Sequence, residues 1–136
     1  MNNESVSFLV EKDAVVRVLS QYAQGIDRKD AELYRSCLTD PIDVDAGDFG
    51  GTGMRADDWL AEAFEIADGY TSTQHIITNH EVEFPDGPGG NEARCRAYLQ
   101  AQHWRRNWEI SPRFGNILGV FFVRKKSYNF HIRNVR

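Results

Sequence analysis

Three side chains have the chemistry and the setting for acid–base work. Asp27 directly follows an amphipathic segment that reads as a helix. A carboxylate near a helix C-terminus is disfavoured by the dipole, by about 0.3–1 kcal/mol. Asp27 therefore either points into water or has a partner that justifies it. His75 lies inside Thr73-Gln-His-Ile-Ile-Thr, a strand-like run in which a lone histidine is either structural or a base. His103 closes a row of alternate positions, Ala93, Cys95, Ala97, Leu99 and Ala101. An imidazole at the end of small apolar residues either finds a buried hydrogen bond or borders a cavity. Small residues on a concave sheet face would leave room for a ligand.

Other chemistries fit poorly. His75 and His80 are five apart, which in an unbroken strand sends them to opposite faces, and no carboxylate completes a ligand set, so no metal site is expected. Gly51-Thr-Gly53-Met-Arg-Ala56 has the letters of a dinucleotide fingerprint. It lacks the adjoining strand and parallel sheet that such a fingerprint needs. Neither a Gly-Lys-Ser/Thr phosphate loop nor a Gly-x-Ser-x-Gly elbow occurs. Cys37 and Cys95 fall in segments that read as buried, so they are expected to be reduced thiols, neither bridged nor nucleophilic. The reading implies no cofactor.

The elements that must position these groups change period along the chain. Val15, Val18, Leu19, Tyr22 and Ile26 recur at three- and four-residue spacing, which predicts a helix from about Leu9 to Ile26, weakened in its last turn by Gly25. Asp30-Ala-Glu-Leu reads as an N-cap opening a short helix to about Leu38, stopped at Asp40-Pro41. Ile42-Asp-Val-Asp45 reads as a short strand and the glycine cluster Gly47, Gly50, Gly51, Gly53 as loop. A third helix, Ala56 to about Asp68, puts Trp59, Leu60, Ala63, Phe64 and Ala67 on one face. Strands follow at Ser72–Phe84, at about Ala93–Trp104, at Phe114–Arg124 and at Tyr128–Val135, with turns at Pro85-Asp-Gly-Pro-Gly-Gly and Lys125-Lys126-Ser127. The class is α+β: a curved antiparallel sheet wrapped around three N-terminal helices.

At 136 residues the chain suits one domain spanning 1–136, since two cores of half that size would each be marginal. Its longest apolar run, Ile117–Val123, is far too short for a membrane helix. The start, Met-Asn-Asn-Glu-Ser, lacks a secretory pattern, so a cytoplasmic protein is expected. Charge is uneven: net −13 over residues 1–92 and +9 over 93–136. No stacking-aromatic signature accompanies the basic half, so the expectation is that the two halves pack on each other and bind no nucleic acid.

Tyr22-Ala-Gln-Gly-Ile-Asp27-Arg-Lys-Asp30, then Ile42-Asp-Val-Asp45, then Thr73-Gln-His75-Ile-Ile resemble the SnoaL-like branch of the NTF2-like proteins, over roughly residues 10–108. The resemblance implies a cone-shaped sheet curled around helices, a deep apolar pocket, and a homodimer or trimer packed through the sheet. The nearest catalytic pattern is that of scytalone dehydratase and lindane dehydrochlorinase. Asp27 and His75 match their aspartate and histidine, and His103 matches the dehydratase's second pocket histidine. Two tyrosines of the dehydratase correspond to Ile26 and Ala46 here. Tyr22 falls where ketosteroid isomerase keeps an oxyanion-hole tyrosine.

The implied activity is that of a cofactor-independent lyase or isomerase on a small hydrophobic, cyclic substrate. Asp27 would orient His75 and fix its tautomer, leaving the other ring nitrogen as base. Tyr22 or His103 would donate to an oxyanion or a leaving group. Tyr22, Ile26, Leu60, Phe64, Ala97, Leu99 and Ala101 are expected to line the pocket. The alternative is a non-catalytic ligand-binding or assembly subunit, like the β subunits of ring-hydroxylating dioxygenases. Arg94, Tyr98, Gln100 and Trp104, with Phe121 or Phe122 nearby, put large aromatics on the outer sheet face, as interfaces do.

Overall fold

The computed structural model describes residues 2–105, 116–124 and 129–134, with side chains described for 2–105. Helix α1 spans Asn3–Asp27, α2 Ala31–Ser36 and α3 Ala56–Asp68; the strands are β1 Ile42–Ala46, β2 Phe49–Met54, β3 Ser72–Glu83, β4 Glu92–Trp104, β5 Asn116–Arg124 and β6 Asn129–Asn134. The Lys125-Lys126-Ser127 turn and the side chains of Phe121 and Phe122 lie outside the described residues. Among the described residues, no helix is long and apolar enough to cross a membrane.

The six strands form one sheet in the order β2-β1-β6-β5-β4-β3. Four neighbour pairs are antiparallel, as expected. The exception is β1 with β6, which run parallel, because β6 returns from the far end of the chain beside the first strand. The glycine cluster expected to be loop instead supplies β2. Gly50 sits at φ +95°, where a Cβ would come within 2.5 Å of the Val44 carbonyl, so glycines let this edge strand pass close to β1.

Helix α1 begins earlier than periodicity suggested. Asn2 caps it by accepting from the Ser5 N–H at 2.8 Å. Its first turns expose Val6, Leu9 and Val10, which blurs the amphipathic pattern there. From Val15 onward the helix lies on the inner face of the sheet, and Val15, Val18 and Leu19 bury against Ala93, Cys95 and Ala97 of β4. A second cluster joins Ile26 to Tyr34, Leu38, Ile42, Val44 and Trp59, so the end of α1 meets α2, α3 and β1. Tyr22 packs against both clusters. Cys37 and Cys95 are buried free thiols, and burial pushes each up to about 11.

Strand β3 carries an irregularity that sequence parity could not show. Between Thr78 and Glu81 the register to β4 slips, and Asn79 adopts φ +57°. One extra residue on β3 is the mark of a β-bulge. It resets the alternation, so that Thr73, His75, Ile77, His80 and Val82 all face the less exposed side. His75 and His80 therefore share a face, contrary to the expectation of opposite ones. Even so, among the described residues no three His, Cys, Asp or Glu groups gather closely enough to hold a metal ion.

Candidate active site

Asp27 is the last residue of α1, whose final turn has no basic side chain. The dipole penalty there is offset by three hydrogen bonds from β3. The Thr73 hydroxyl donates to Oδ1 at 2.9 Å, the His75 backbone N–H donates to Oδ2 at 2.8 Å, and His75 Nδ1 lies 2.7 Å from Oδ1. Strand β3 ends the sheet among the described strands, so its outward N–H groups lack a strand partner, and Asp27 satisfies one of them. Bonds to an ionised acceptor are the strong kind, worth about 1.5–3 kcal/mol each. Of the two readings of Asp27, the partnered one is observed.

Alternation explains why one carboxylate reaches both residues. Thr73 and His75 are two apart on a strand and so share the inner face. Their partners in register on β4 are His103 and Ala101. The His75 and His103 rings meet edge to face, 5.5 Å between centroids and 85° between planes. On its other side His103 packs on Tyr70 at 4.8 Å, and the Arg105 guanidinium lies 5.6 Å over the Tyr70 ring. His103 is 4% exposed; burial first, then the neighbouring His75, push its pKa down to about 4, while Asp27 acts the other way. It is therefore a neutral imidazole at neutral pH, one nitrogen a donor and the other an acceptor.

A carboxylate that is ionised only accepts, so a neutral His75 ring paired with it would carry its proton on Nδ1 and leave Nε2 with the lone pair. The pair is half-buried, with the His75 side chain 11% and the Asp27 side chain 22% exposed. Such an imidazole can take a proton and pass it on, with the aspartate stabilising the imidazolium.

The SnoaL-like domain matches over residues 8–126. This chain belongs to that family. No curated protein matches it. Among solved structures, a candidate scytalone dehydratase from Novosphingobium aromaticivorans superposes with a TM-score of 0.71 at 23% identity, covering 97% of this chain and 89% of that one. A type 2 hexachlorocyclohexane dehydrochlorinase, LinA, gives 0.67 at 14% identity, covering 94% and 84%. A protein of unknown function with a cystatin-like fold from Nostoc punctiforme gives 0.68 at 14%, covering 90% and 86%. At these identities the likeness establishes the fold, an NTF2-like cone.

Within this SnoaL-like fold the expected lining residues divide between the two clusters. Ile26, Leu60 and Phe64 belong with α2, α3 and β1, whereas Ala97 belongs with α1 and β4. Ala101 is buried and Leu99 half-buried on the same face of β4. Tyr22 bridges the two groups. Sequence reasoning passed over Thr73, although its place two residues before His75 put it on the same face. It also passed over the contact between Tyr34 and Trp59, which no spacing along the chain reveals.

Proposed function

We propose that this protein is a cofactor-independent lyase or isomerase acting on a small hydrophobic, cyclic substrate, with His75 as base and Asp27 as its positioning partner. The observation that carries the reading is the triple anchoring of Asp27 by Thr73 and His75. Besides accepting from the Thr73 hydroxyl and the His75 N–H, this carboxylate meets an imidazole whose ring lies edge to face with that of His103. Nε2 of His75 would take a proton from a carbon acid or a hydroxyl. His103 and Tyr22 would donate hydrogen bonds to the oxyanion or the leaving group. The substrate would lie against Ile26, Leu60, Phe64, Ala97, Leu99 and Ala101, where an apolar lining excludes water and strengthens the charge interactions.

The experiment is turnover of a panel of cyclic hydroxyketones and chlorinated cycloalkanes, with deuterium exchange at the acidic carbon as a second readout. His75→Ala and Asp27→Asn should each lower the rate by about 10²-fold or more. The double variant should be little worse than the worse single one, since the two act as a unit. Asp27→Asn keeps the shape while favouring the wrong tautomer. Turnover that survives His75→Ala undiminished would remove His75 as base. We also propose a homodimer formed through the outer face of β3 and β4.

A further inference from the structure

Asp27 stands where a carboxylate is poorly constrained by its own chain. It closes α1, and the backbone leaves the helix directly after it, with Lys29 at φ +55°. The last torsion of an aspartate side chain is soft, with broad wells related by a two-fold turn of the carboxylate. Orientation must therefore come from the groups around it. Two of its anchors belong to His75, the ring Nδ1 at 2.7 Å from Oδ1 and the backbone N–H at 2.8 Å from Oδ2. The other is the Thr73 hydroxyl, which donates to Oδ1 at 2.9 Å.

The imidazole is the one anchor that cannot serve this purpose. A ring that takes up a proton or meets a ligand can turn about its own bonds, so it cannot hold in place the group that is meant to hold it. The His75 N–H is fixed by the strand, but a single bond to Oδ2 leaves the carboxylate free to rotate about that contact. A second fixed donor on Oδ1 removes the rotation, and Thr73 is that donor. Its own placement is firm. Thr73 is 9% exposed and stands in register opposite His103. Two residues earlier the Thr71 N–H donates to the Trp104 carbonyl at 2.8 Å, which pins the start of β3 to the end of β4. A β-branched side chain has few χ1 choices, so the backbone aims the hydroxyl.

We propose that Thr73 is a positioning residue: its hydroxyl fixes the plane of the Asp27 carboxylate, which in turn keeps the His75 proton on Nδ1 and leaves Nε2 open to substrate. This rests on the reading of His75 as base and Asp27 as its partner. Thr73 touches no reacting atom in this scheme and acts through Asp27 alone.

The test reads the tautomer directly, from the ring nitrogen resonances of protein carrying isotope-labelled histidine under mildly alkaline conditions. His75 is assigned as the signal lost in His75→Gln. The wild type should show the Nδ1–H form. Thr73→Val keeps the shape and removes the donor, and should lower the ratio of Nδ1–H to Nε2–H form by about ten-fold. Thr73→Ser, which keeps the hydroxyl, should restore it. For any cyclic hydroxyketone of the panel above that the wild type turns over, kcat should follow the same pattern while KM holds. A wild type in the Nδ1–H form with a ratio or kcat undiminished in Thr73→Val would leave the pair standing and overturn the proposal. A wild type in the Nε2–H form would overturn the reading of the pair and the proposal with it. Equal loss in the valine and serine variants would mean that Thr73 contributes packing and not a donor, and the proposal would fall. A measurement on the unaltered protein guards against variants that do not fold. The Thr73 hydroxyl proton, held by the carboxylate, should exchange with water slowly enough to give its own resonance; its absence would overturn the proposal.

Discussion

His103 pairs a buried ring with a pKa of about 4, well under the 6.5 of an exposed histidine. The sign of its effect on stability follows from which state binds the proton first. Below pH 6.5 the unfolded chain takes up a proton that the folded one refuses. The contribution of His103 is therefore fully present above pH 6.5 and drains away as pH falls towards 4. The loss between pH 7 and pH 5 should be roughly 2 kcal/mol. Urea unfolding at the two pH values measures it directly. His103→Gln, which keeps a neutral polar group in place, should flatten that pH dependence. A variant as acid-sensitive as the wild type would show that His103 is not the group responsible. The same neutrality bears on chemistry, because a ring that stays unprotonated donates a hydrogen bond but cannot act as an imidazolium acid. Against His75, anchored to Asp27 at 2.7 Å, this puts two histidines in different settings edge to face, and under the proposed function they would take different tasks.

At the scale of elements, the long periodic pieces were legible and the close approaches between them were not. Helix α3 occupies the span its apolar spacing indicated, and β4 shows the alternation read from Ala93 to His103. Both follow from side-chain period alone. The bulge at Asn79 escaped because one extra residue leaves composition untouched while flipping every later side chain. Gly25 was read as a weak point of α1, but its reason is steric. A Cβ there would lie 2.7 Å from the Tyr34 backbone nitrogen and 2.9 Å from Tyr34 Cα, so glycine lets α2 cross against α1. Helix propensity favours alanine at this position by about 1 kcal/mol, whereas crowding against backbone costs about 1–3 kcal/mol. We expect Gly25→Ala to destabilise the protein by up to roughly 2 kcal/mol, read as a lowered urea midpoint. Because the clash falls on Tyr34, the same variant should also disturb the hydrogen bond from Trp59 to the Tyr34 hydroxyl. Equal or greater stability would mean that the two helices can separate without loss. The residues of the candidate site could be read only as types in order; the bond that joins Asp27 to Thr73 is tertiary and has no trace in spacing.

Over the whole molecule, the uneven charge resolves differently on different parts of the sheet. On the outer face of β3 and β4, Arg96 lies 3.7 Å from Glu81 and Arg94 2.8 Å from Glu92, so arginines of the basic half meet acids of the acidic one. Exposed pairs of this kind add little stability, about 0–1 kcal/mol each, but they leave no bare basic stripe on this part of the surface. Further along the same two strands the charge stops. Gln74, Ile76, Thr78, Tyr98, Gln100 and Gln102 alternate outward without a charged residue among them, with Ile76 38% and Tyr98 57% exposed. Register brings Thr78 opposite Tyr98 and Ile76 opposite Gln100, so these side chains form one contiguous area. Interface centres are depleted in charge and enriched in aromatics, and a two-fold axis lets one such patch cover its own copy. Light scattering at tens of micromolar should therefore give the mass of a dimer. Tyr98→Glu would place like charges face to face at the centre of that interface and should shift the mass towards monomer. Lys12→Glu, on the helix side of the sheet, should not. A monomeric wild type at those concentrations would refute the dimer, and a dimer that withstands Tyr98→Glu would have to use another face.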